Sequence, residues 1–329
     1  MAMEPLHIVY ATDEKYLLPT QVALSSAVYN ASRKKDLVID ILECGISDAK
    51  WLSFESGIRR SIGYEFALVR HKTNCLAYRR YKSWHSSWTA YARFEIPDIL
   101  PSNVAWCVYA DSDTLFVADP FELQKIYDDK WAIMGHRDVD GMIQASWFAK
   151  NGFAWKPDEY VCSGFLLLNL NMFRCSSMSQ KLRKFLSAYP DVPFPDQDAL
   201  NIVCRGEVGV LPTGWGVFAN DVFNVCDEPY CIHFVGEHPW EWPALGLIGM
   251  PDTSRLWFAY SGKVCKLRLN RCRYLFRNCY SRIMKVMFRT LCRFPRLRLR
   301  YSVANSRFAS RKIWKHLSRK VNFNPDAHD

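Results

Sequence analysis

Short runs of apolar residues alternate with segments of helical periodicity through the first two thirds of the chain. The apolar runs predict strands at 6–11, 37–44, 64–70, 104–110, 131–136, 164–170 and 230–235. Between them, apolar side chains recurring at helical spacing predict helices at 22–32, 50–62, 86–96, 179–189 and 198–205. Near-continuous apolar strands separated by helices are typical of a mainly parallel sheet with helices on both faces. We therefore expect an α/β fold.

The chain changes character near its C-terminus. Residues 263–320 contain 19 Lys or Arg and no Asp or Glu, whereas residues 1–262 carry a net charge of −7. Apolar residues within 275–292 keep a helical spacing, with basic residues on another face, which predicts a basic amphipathic helix. We therefore divide the chain into a globular domain and a basic helical tail, at 1–258 and 259–329.

Three uses of this tail are open. Its apolar stripe could pack on the globular domain, it could lie in the plane of an anionic membrane, or it could bind nucleic acid through its charge. No nucleic-acid motif accompanies the charge, and bulky apolar residues such as Met287 and Phe288 suit a membrane surface. We expect the tail to associate with the inner face of a membrane.

Composition narrows the class of protein. An apolar content of 49% and an aromatic content of 15% exclude a largely disordered chain. The N-terminus has no basic segment followed by a long apolar run, and the apolar run at 161–173 is interrupted by Ser163, Asn169 and Asn171. We therefore expect neither a signal peptide nor a membrane span, and a cytoplasmic location. The twelve cysteines form no CxxC pair and are expected to be mostly reduced.

Asp111 and Asp113 directly follow the apolar run at 104–110. Because residues i and i+2 of an extended segment point the same way, both carboxylates can face one cation at the carboxyl end of a strand, where ligands of α/β sheets bind. A solvated turn or helix cap would also explain a single D-x-D, and the pattern occurs again at 138–140 and 196–198. A phosphatase with an aspartyl nucleophile is disfavoured, because its threonine is displaced by one position.

Six segments, in order, resemble those of the retaining family 8 glycosyltransferases, especially the bacterial lipopolysaccharide galactosyl- and glucosyltransferases. They are HIVYATDEKYLLPT (7–20), TAYARFEIPDILP (89–101), VYADSDTLFVADPFEL (108–123), VCSGFLLLNLNMFR (161–174), FPDQDALN (194–201) and IHFVGEHPW (232–240). The resemblance covers residues 6–242. It implies a GT-A-like, Rossmann-type mixed sheet and transfer of galactose or glucose from a UDP-sugar to a saccharide of lipopolysaccharide or another surface glycan.

The resemblance also implies roles for individual residues. A metal, Mn²⁺ or alternatively Mg²⁺, would be held by Asp111, Asp113 and His233. The nucleotide sugar would be bound by Ala11, Thr12, Asp13, Arg93, Asp111, Ser112, Asp113, Gly236 and His238. The catalytic residues near the anomeric carbon would be Gln197, Asp196 and Asp138. Without the resemblance, the simpler interpretations are a structural histidine at 233, a surface ion pair at 93 and an exposed loop carboxylate at 138.

Three positions depart from the family pattern. Cys162 stands where an Asn is usual, Lys15 where an Asn often meets the ribose, and His238 where a Lys holds the diphosphate. We expect His238 to take part of the role of that lysine. The departures leave open a non-catalytic protein that binds membrane or nucleic acid on a degenerate transferase fold.

Two chemical routes could retain the anomeric configuration. A double displacement needs a carboxylate nucleophile close to the anomeric carbon. Because the amide of Gln197 is a poor nucleophile, we favour front-face transfer, in which the departing diphosphate accepts the acceptor's proton.

Overall fold

The structure is a computed structural model that describes residues 4–83, 87–138, 142–219, 222, 226, 228–236, 238–240 and 252–263. These residues form two sheets and eight α-helices, joined by turns and short 3₁₀ helices. The helices are α1 (Leu17–Asn30), α2 (Asp48–Ile62), α3 (Ile96–Ile99), α4 (Met142–Lys150), α5 (Leu170–Cys175), α6 (Met178–Ala188), α7 (Pro195–Val203) and α8 (Asp252–Lys263). Within the described residues, no helix combines the length and apolar character needed to cross a membrane.

The larger sheet has seven strands. In chain order they are β1 (Leu6–Thr12), β2 (Leu37–Glu43), β3 (Ala67–Lys72), β4 (Trp106–Ala110), β6 (Ile133–Arg137), β7 (Val161–Asn169) and β8 (Val208–Val210). The spatial order is β3-β2-β1-β4-β7-β6-β8, and only β7 runs against its neighbours β4 and β6. This confirms the predicted mixed, mainly parallel sheet.

The smaller sheet has three strands, β5 (Thr114–Phe116), β9 (Val217–Phe218) and β10 (Cys231–His233). Strand β10 lies in the middle, antiparallel to β5 and parallel to β9. The pairing of β5 with β10 sets His233 opposite Thr114, which follows the acidic pair directly. This small sheet therefore carries a C-terminal histidine to the end of β4.

Helices cover both faces of the larger sheet, as predicted. On one face, Ile8 and Tyr10 of β1 pack with buried residues of α1 and α2, among them Leu24 and Phe54. On the other face, Val9 and Ala11 belong to a cluster with residues of α5, α6, α7 and the 3₁₀ helix Thr89–Glu95. Alternate side chains of β1 point to opposite faces of the sheet, and both faces are covered. The consecutive residues from Ile8 to Ala11 are therefore all buried and apolar.

Some predicted elements differ from the observed ones at their ends. Helix α1 starts at Leu17 rather than 22, because Pro19 is tolerated within the first helical turn. The predicted strand at 64–70 is shifted to Ala67–Lys72, because α2 continues to Ile62 and the chain then turns.

The helix predicted at 86–96 is a 3₁₀ helix, Thr89–Glu95, that runs into α3. Pro97 has no N–H to donate to the carbonyl of Arg93, so a continuous α-helix cannot pass this point.

Helix α8 crosses residue 258, at which we placed the domain boundary. Its residues Leu256, Trp257 and Tyr260 are buried in a cluster with Val22 of α1 and Ile232 of β10. The predicted basic amphipathic helix lies outside the described residues, so both that helix and its membrane association stay predictions.

The cysteines depart from expectation at one pair. Cys44, just after β2, and Cys75, at the start of a short 3₁₀ helix, are joined by a disulfide with their Cα atoms 5.6 Å apart. Six other cysteines in the described part are free, as expected: Cys107, Cys162, Cys175, Cys204, Cys226 and Cys231. Residues 31 positions apart meet here because the chain folds back after β3 over the end of β2.

One arginine anchors the segment that leads into β4. Arg174 of α5 donates to the backbone carbonyls of five residues in this segment: Pro97, Leu100, Pro101, Ser102 and Val104. The guanidinium has five N–H donors in a fixed fork, and a lysine ammonium has three donors at one point. The fork therefore matches a set of carbonyls that a lysine cannot satisfy.

We predict that Arg174→Lys lowers the free energy of unfolding by about 2 kcal/mol, because several charge-assisted hydrogen bonds to backbone are lost. Urea denaturation followed by circular dichroism measures the change. Arg79→Lys, on an exposed arginine, is the matched control and should remain within about 0.5 kcal/mol of the parent. Equal stability of both variants would show that the fork of contacts contributes little.

Candidate active site

Asp111, Asp113 and His233 come together at the end of β4. One ligand atom from each lies within 4.8 Å of the others. Among the described residues, these three side chains form the group that could hold a metal ion, which we call the metal-ligating group. The i, i+2 spacing directs both carboxylates to one side, and the β5–β10 pairing delivers the imidazole. The histidine Nε2 is 3.1 Å from Asp113 Oδ1, and its side chain is only 5% exposed.

Gly164 of β7 makes this close approach feasible. A Cβ atom at this position would lie 2.1 Å from His233 Cε1 and 2.7 Å from Asp111 Oδ2. Any side chain at 164 would therefore occupy the space in which the two ligand groups meet. The ligand groups need the space that a side chain at position 164 would fill, and glycine leaves that space open.

The donor set suits a divalent cation. Two carboxylates and one imidazole are ligands that Mn²⁺ accepts readily. Asp113 Oδ1 is buried and accepts no hydrogen bond from the described residues, although it is close to His233. Burial opposes ionisation of Asp113, but His233 and His238 outweigh it and hold the pKa of this carboxyl well below its usual range. The carboxylate is thus kept in the form that binds metal.

Arg93 is buried inside the site and is not on the surface. Its guanidinium pairs with Asp111 Oδ1 at 3.0 Å and with Asp196 Oδ2 at 3.1 Å, and it donates to the carbonyl of Ser163. The same group lies over the Tyr109 ring, 4.4 Å from its centre. Although burial opposes its charge, Asp111 and the other nearby groups raise the pKa of Arg93, so it remains a cation.

The end of β1 is fastened to the acidic pair by hydroxyl groups. Thr20 Oγ1 lies 2.8 Å from Thr12 Oγ1 and 2.8 Å from Ser112 Oγ, and Ser112 donates to the carbonyl of Ala11. The predicted nucleotide-binding positions 11, 12 and 112 therefore adjoin one another. The hydroxyl groups of Thr12 and Ser112 hold the strand ends together, so the backbone of these positions is the part that remains to bind a ligand.

Asp13 is shaped by the turn that follows β1. Its Oδ1 accepts the backbone N–H groups of Lys15 and Tyr16 at 2.9 and 3.3 Å, and its Oδ2 accepts the hydroxyl of Ser87 at 2.8 Å. Lys15 itself is exposed beside this turn. The carboxylate is held in a defined orientation at the same edge of the sheet as the acidic pair.

The predicted catalytic residues lie together around Ser163 of β7. Asp196 Oδ2 accepts the Ser163 hydroxyl at 2.8 Å, and Gln197 Oε1 accepts the Ser163 N–H at 3.0 Å. Gln197 Nε2 donates to Asp138 Oδ2 at 2.9 Å. The two acidic residues and the amide are placed by the first turn of α7 and by the segment after β6.

Two of the three positions that depart from the family pattern, Cys162 and His238, contact the metal-ligating group. His238 is 5% exposed, with Nε2 3.2 Å from Asp113 Oδ2 and its ring stacked on Trp240 at 4.8 Å. Cys162 Sγ lies 3.7 Å from Nδ1 of His233. Gly236 has a φ of +86°, a left-handed conformation in the turn between β10 and His238 that favours glycine. The predicted contact of His238 with a diphosphate stays a prediction.

Sequence reasoning missed three residues that support the site: Tyr109, Tyr160 and Gly164. Tyr109 donates to Asp111 Oδ1 at 2.5 Å, and Tyr160 donates to Asp198 Oδ1 at 2.5 Å. Both tyrosines lie in or beside apolar runs, where an aromatic residue is expected for packing alone. The Gly inside the apolar run at 161–173 was the available signal for a close approach.

A mixed α/β sheet with an acidic pair at the end of a central strand, and a histidine brought to that pair, defines the class as a GT-A-fold glycosyltransferase. The profile of Glycosyl transferase family 8 matches residues 7–242. The chain belongs to glycosyltransferase family 8, and its activity is glycosyl transfer. The family implies a nucleotide-sugar donor and a saccharide acceptor.

Individual relatives are distant in sequence. General stress protein A of Bacillus subtilis is 24% identical over 258 residues, which cover 72% of this chain and 88% of that protein. Among solved structures, the galactosyltransferase LgtC in complex with donor and acceptor sugar analogs has a TM-score of 0.66 at 20% identity, covering 82% of this chain and 99% of the other. The glycosyltransferase GlyE of Streptococcus pneumoniae TIGR4 has a TM-score of 0.58 at 20% identity, covering 79% and 60%. At these identities the likeness to solved structures supports the fold.

We predict that Gly164→Ala weakens Mn²⁺ binding at least about tenfold, because the added methyl group displaces His233 or Asp111 by more than the 0.5 Å that a site tolerates. Electron paramagnetic resonance of free Mn²⁺ measures the affinity, and circular dichroism checks the fold. Gly262→Ala, at a helical glycine with no atom within 4 Å of the added carbon, is the control. Unchanged Mn²⁺ affinity in Gly164→Ala would exclude this group as the metal site.

Asp198 makes the free energy of unfolding of the protein depend on pH. Its side chain is fully buried and accepts the N–H of Phe194 at 2.8 Å. Burial raises the pKa of Asp198 to about 6, whereas an unfolded chain titrates near 3.9. The folded protein therefore holds a proton that the unfolded chain has lost. The resulting stability is complete below about pH 4 and is lost as the pH rises through about 6.

We predict that the stability of the parent relative to Asp198→Asn falls by up to about 3 kcal/mol between about pH 4 and pH 7, because Asn keeps the neutral form at every pH. Urea denaturation at a series of pH values, with EDTA present, gives this difference. Asp158→Asn, on an 84% exposed carboxylate, should show no comparable slope. A flat difference for Asp198→Asn would contradict the raised pKa.

Proposed function

We propose that the protein transfers a hexose, galactose or glucose, from a UDP-sugar to a saccharide acceptor with retention of the anomeric configuration. The observation that carries the proposal is the meeting of Asp111, Asp113 and His233 at the end of β4. Beside them, Arg93 and Asp196 connect this group to Gln197 and Asp138. The two halves of the site correspond to the two ends of a nucleotide sugar, its diphosphate and its sugar.

The cation of the proposed site is Mn²⁺, held by Asp111, Asp113 and His233, because imidazole in the donor set favours it over Mg²⁺. The bound metal would neutralise the charge that develops on the departing diphosphate. Arg93 adds a fixed positive charge that cannot be lost by titration. His238, whose Nε2 is 3.2 Å from Asp113 Oδ2, is proposed to share that function.

The nucleoside would lie along the end of β1. The backbone at Ala11 and Thr12 and the oriented carboxylate of Asp13 provide acceptors for the base and ribose hydroxyls. Gly236, in a left-handed conformation after β10, is proposed to contact the nucleotide. Ser112, whose hydroxyl is used by Thr20 and Ala11, contributes its backbone rather than its side chain.

Front-face transfer is the proposed route to retention. Asp196 is paired with Arg93, and Asp138 accepts from Gln197, so neither carboxylate is presented as an isolated nucleophile. The amide of Gln197 is too weakly nucleophilic to form a glycosyl-enzyme readily. The proton of the acceptor hydroxyl would pass to the diphosphate oxygen that leaves, and the bond from the anomeric carbon to the acceptor would form on the same side.

The acceptor is proposed to be a lipopolysaccharide or other surface-glycan intermediate that is linked to lipid. A basic tail at an anionic membrane would bring the enzyme to such an acceptor. The alternative is a binding protein without turnover on the same fold, since Cys162 and His238 replace the side chains expected at the sugar and the diphosphate.

We predict that UDP binds the protein in the presence of Mn²⁺ and at least about tenfold more weakly in EDTA or in Asp113→Asn, since the diphosphate charge then lacks its counter-ion. Isothermal titration calorimetry measures the affinities, with the exposed Asp158→Asn as the matched control. A panel of UDP-sugars then tests turnover. Metal-dependent binding without turnover of any donor would favour the non-catalytic alternative, and absence of UDP binding would overturn the donor site.

A further inference from the structure

Tyr160 lies at the start of β7, against the residues proposed to act on the sugar. Its side chain is 2% exposed, and its ring packs on Trp155 with ring centres 4.8 Å apart. The hydroxyl lies 2.5 Å from Asp198 Oδ1 and 3.1 Å from Gln197 Nε2. Neither the family segments nor the apolar pattern assigns it more than a packing role.

Both N–H donors of the Gln197 amide and one acceptor position of its oxygen are used. Its Oε1 accepts the Ser163 N–H at 3.0 Å, and its Nε2 donates to Asp138 at 2.9 Å and to Tyr160 at 3.1 Å. A half-turn of the amide would set Oε1 against the carboxylate of Asp138 and would point Nε2 at another N–H donor. The amide is therefore held in one of its two orientations.

The Tyr160 hydroxyl supports the same orientation as the Ser163 N–H and Asp138. A phenol has one proton to donate. An ionised Asp198 has no proton and can only accept, so the proton of Tyr160 points at Asp198. A lone pair of the phenol oxygen then faces Gln197, and only the NH₂ end of the amide can meet it. Asp198 is itself fixed, because Oδ2 accepts the N–H of Phe194 at the start of α7.

We propose that Tyr160 is a positioning residue of the transfer reaction: its hydroxyl, committed to Asp198, acts with the Ser163 N–H to hold the amide of Gln197 with its NH₂ end towards Asp138. The inference rests on the proposed function, because it concerns the residues that would act on the sugar. Tyr160 touches no reacting atom and acts through Gln197 alone.

The consequence is a hydrogen-bonded carboxylate next to the sugar. With the NH₂ end inward, Asp138 accepts a hydrogen bond from Gln197. With the amide reversed, the Gln197 oxygen would repel Asp138, and the two side chains would move apart. The hydroxyl of Tyr160 therefore keeps Asp138 and Gln197 as one unit at the distance of a hydrogen bond.

The first test is Tyr160→Phe, which keeps the buried ring and removes the hydroxyl. We expect kcat to fall about tenfold or more, with the KM for the donor and the UDP affinity within about twofold of the parent, because the lost interaction acts on the chemical step. The control is Tyr260→Phe, which removes a buried hydroxyl that accepts from Asn30 elsewhere in the fold. Assays are run well below the melting temperature of each variant. A parental kcat in Tyr160→Phe would overturn the inference.

A double-mutant cycle separates positioning from general damage. In a Gln197→Ala background, Tyr160→Phe should cost no further activity, because its only route of action is gone. An additional tenfold loss would show that Tyr160 acts otherwise, and would overturn the inference. Asp198→Asn gives a second route: Phe194 retains the Asn oxygen, so the Asn NH₂ faces Tyr160 and redirects its proton. We expect the same loss of kcat as in Tyr160→Phe.

A measurement without turnover keeps this inference separate from the proposed function. The Nε2 protons of Gln197, assigned by ¹H–¹⁵N NMR through their absence in Gln197→Ala, should exchange slowly with solvent in the parent. In Tyr160→Phe, exchange of one proton should accelerate about tenfold or more, because its acceptor is gone. Unchanged exchange would overturn the inference. If the parent turns over no UDP-sugar, the proposed function fails, and this experiment still decides whether Tyr160 orients the amide.

Discussion

The site depends on the balance of charge in a buried space. Carboxylates from β4, α7 and the segment after β6 converge there, and burial makes each one costly unless a positive group is near. Arg93 offsets two of them, Asp111 and Asp196, while His233 and His238 flank Asp113. A divalent cation would complete this balance. The positions of the carboxylates in the site are therefore set by the positively charged and imidazole groups beside them, and the fold holds those groups in place.

The antiparallel strand β7 connects the two halves of the site. It lies between β4 and β6, and three of its consecutive residues face different parts of the chemistry. Cys162 contacts His233, Ser163 holds Asp196 and Gln197, and Gly164 leaves room for the ligand groups. One strand thus sets the distance between the metal-ligating group and the sugar-facing group. A shift in its register would disturb both.

The hydrophobic pattern predicted where most strands of the larger sheet occur along the chain, because buried strands leave long apolar runs, as at β1 and β7. It located α1 imperfectly, since a helix buried on nearly all sides shows little periodicity. The resemblance to family 8 identified Asp111, Asp113 and His233, which the structure brings together. Burial of Arg93 and the direction of the Tyr160 hydroxyl were not predictable, because both depend on contacts between residues far apart in sequence. The predicted basic amphipathic helix of the tail lies beyond the described residues and remains a prediction.

The pairing of β10 with β5 has a consequence for synthesis of the chain. Asp111 and Asp113 are made long before His233, and the imidazole reaches them only after β9 and β10 have joined β5. A nascent or truncated chain that lacks β10 therefore has the acidic pair without its third ligand. Completion of the metal-ligating group becomes a late event that reports that the C-terminal part of the domain is in place.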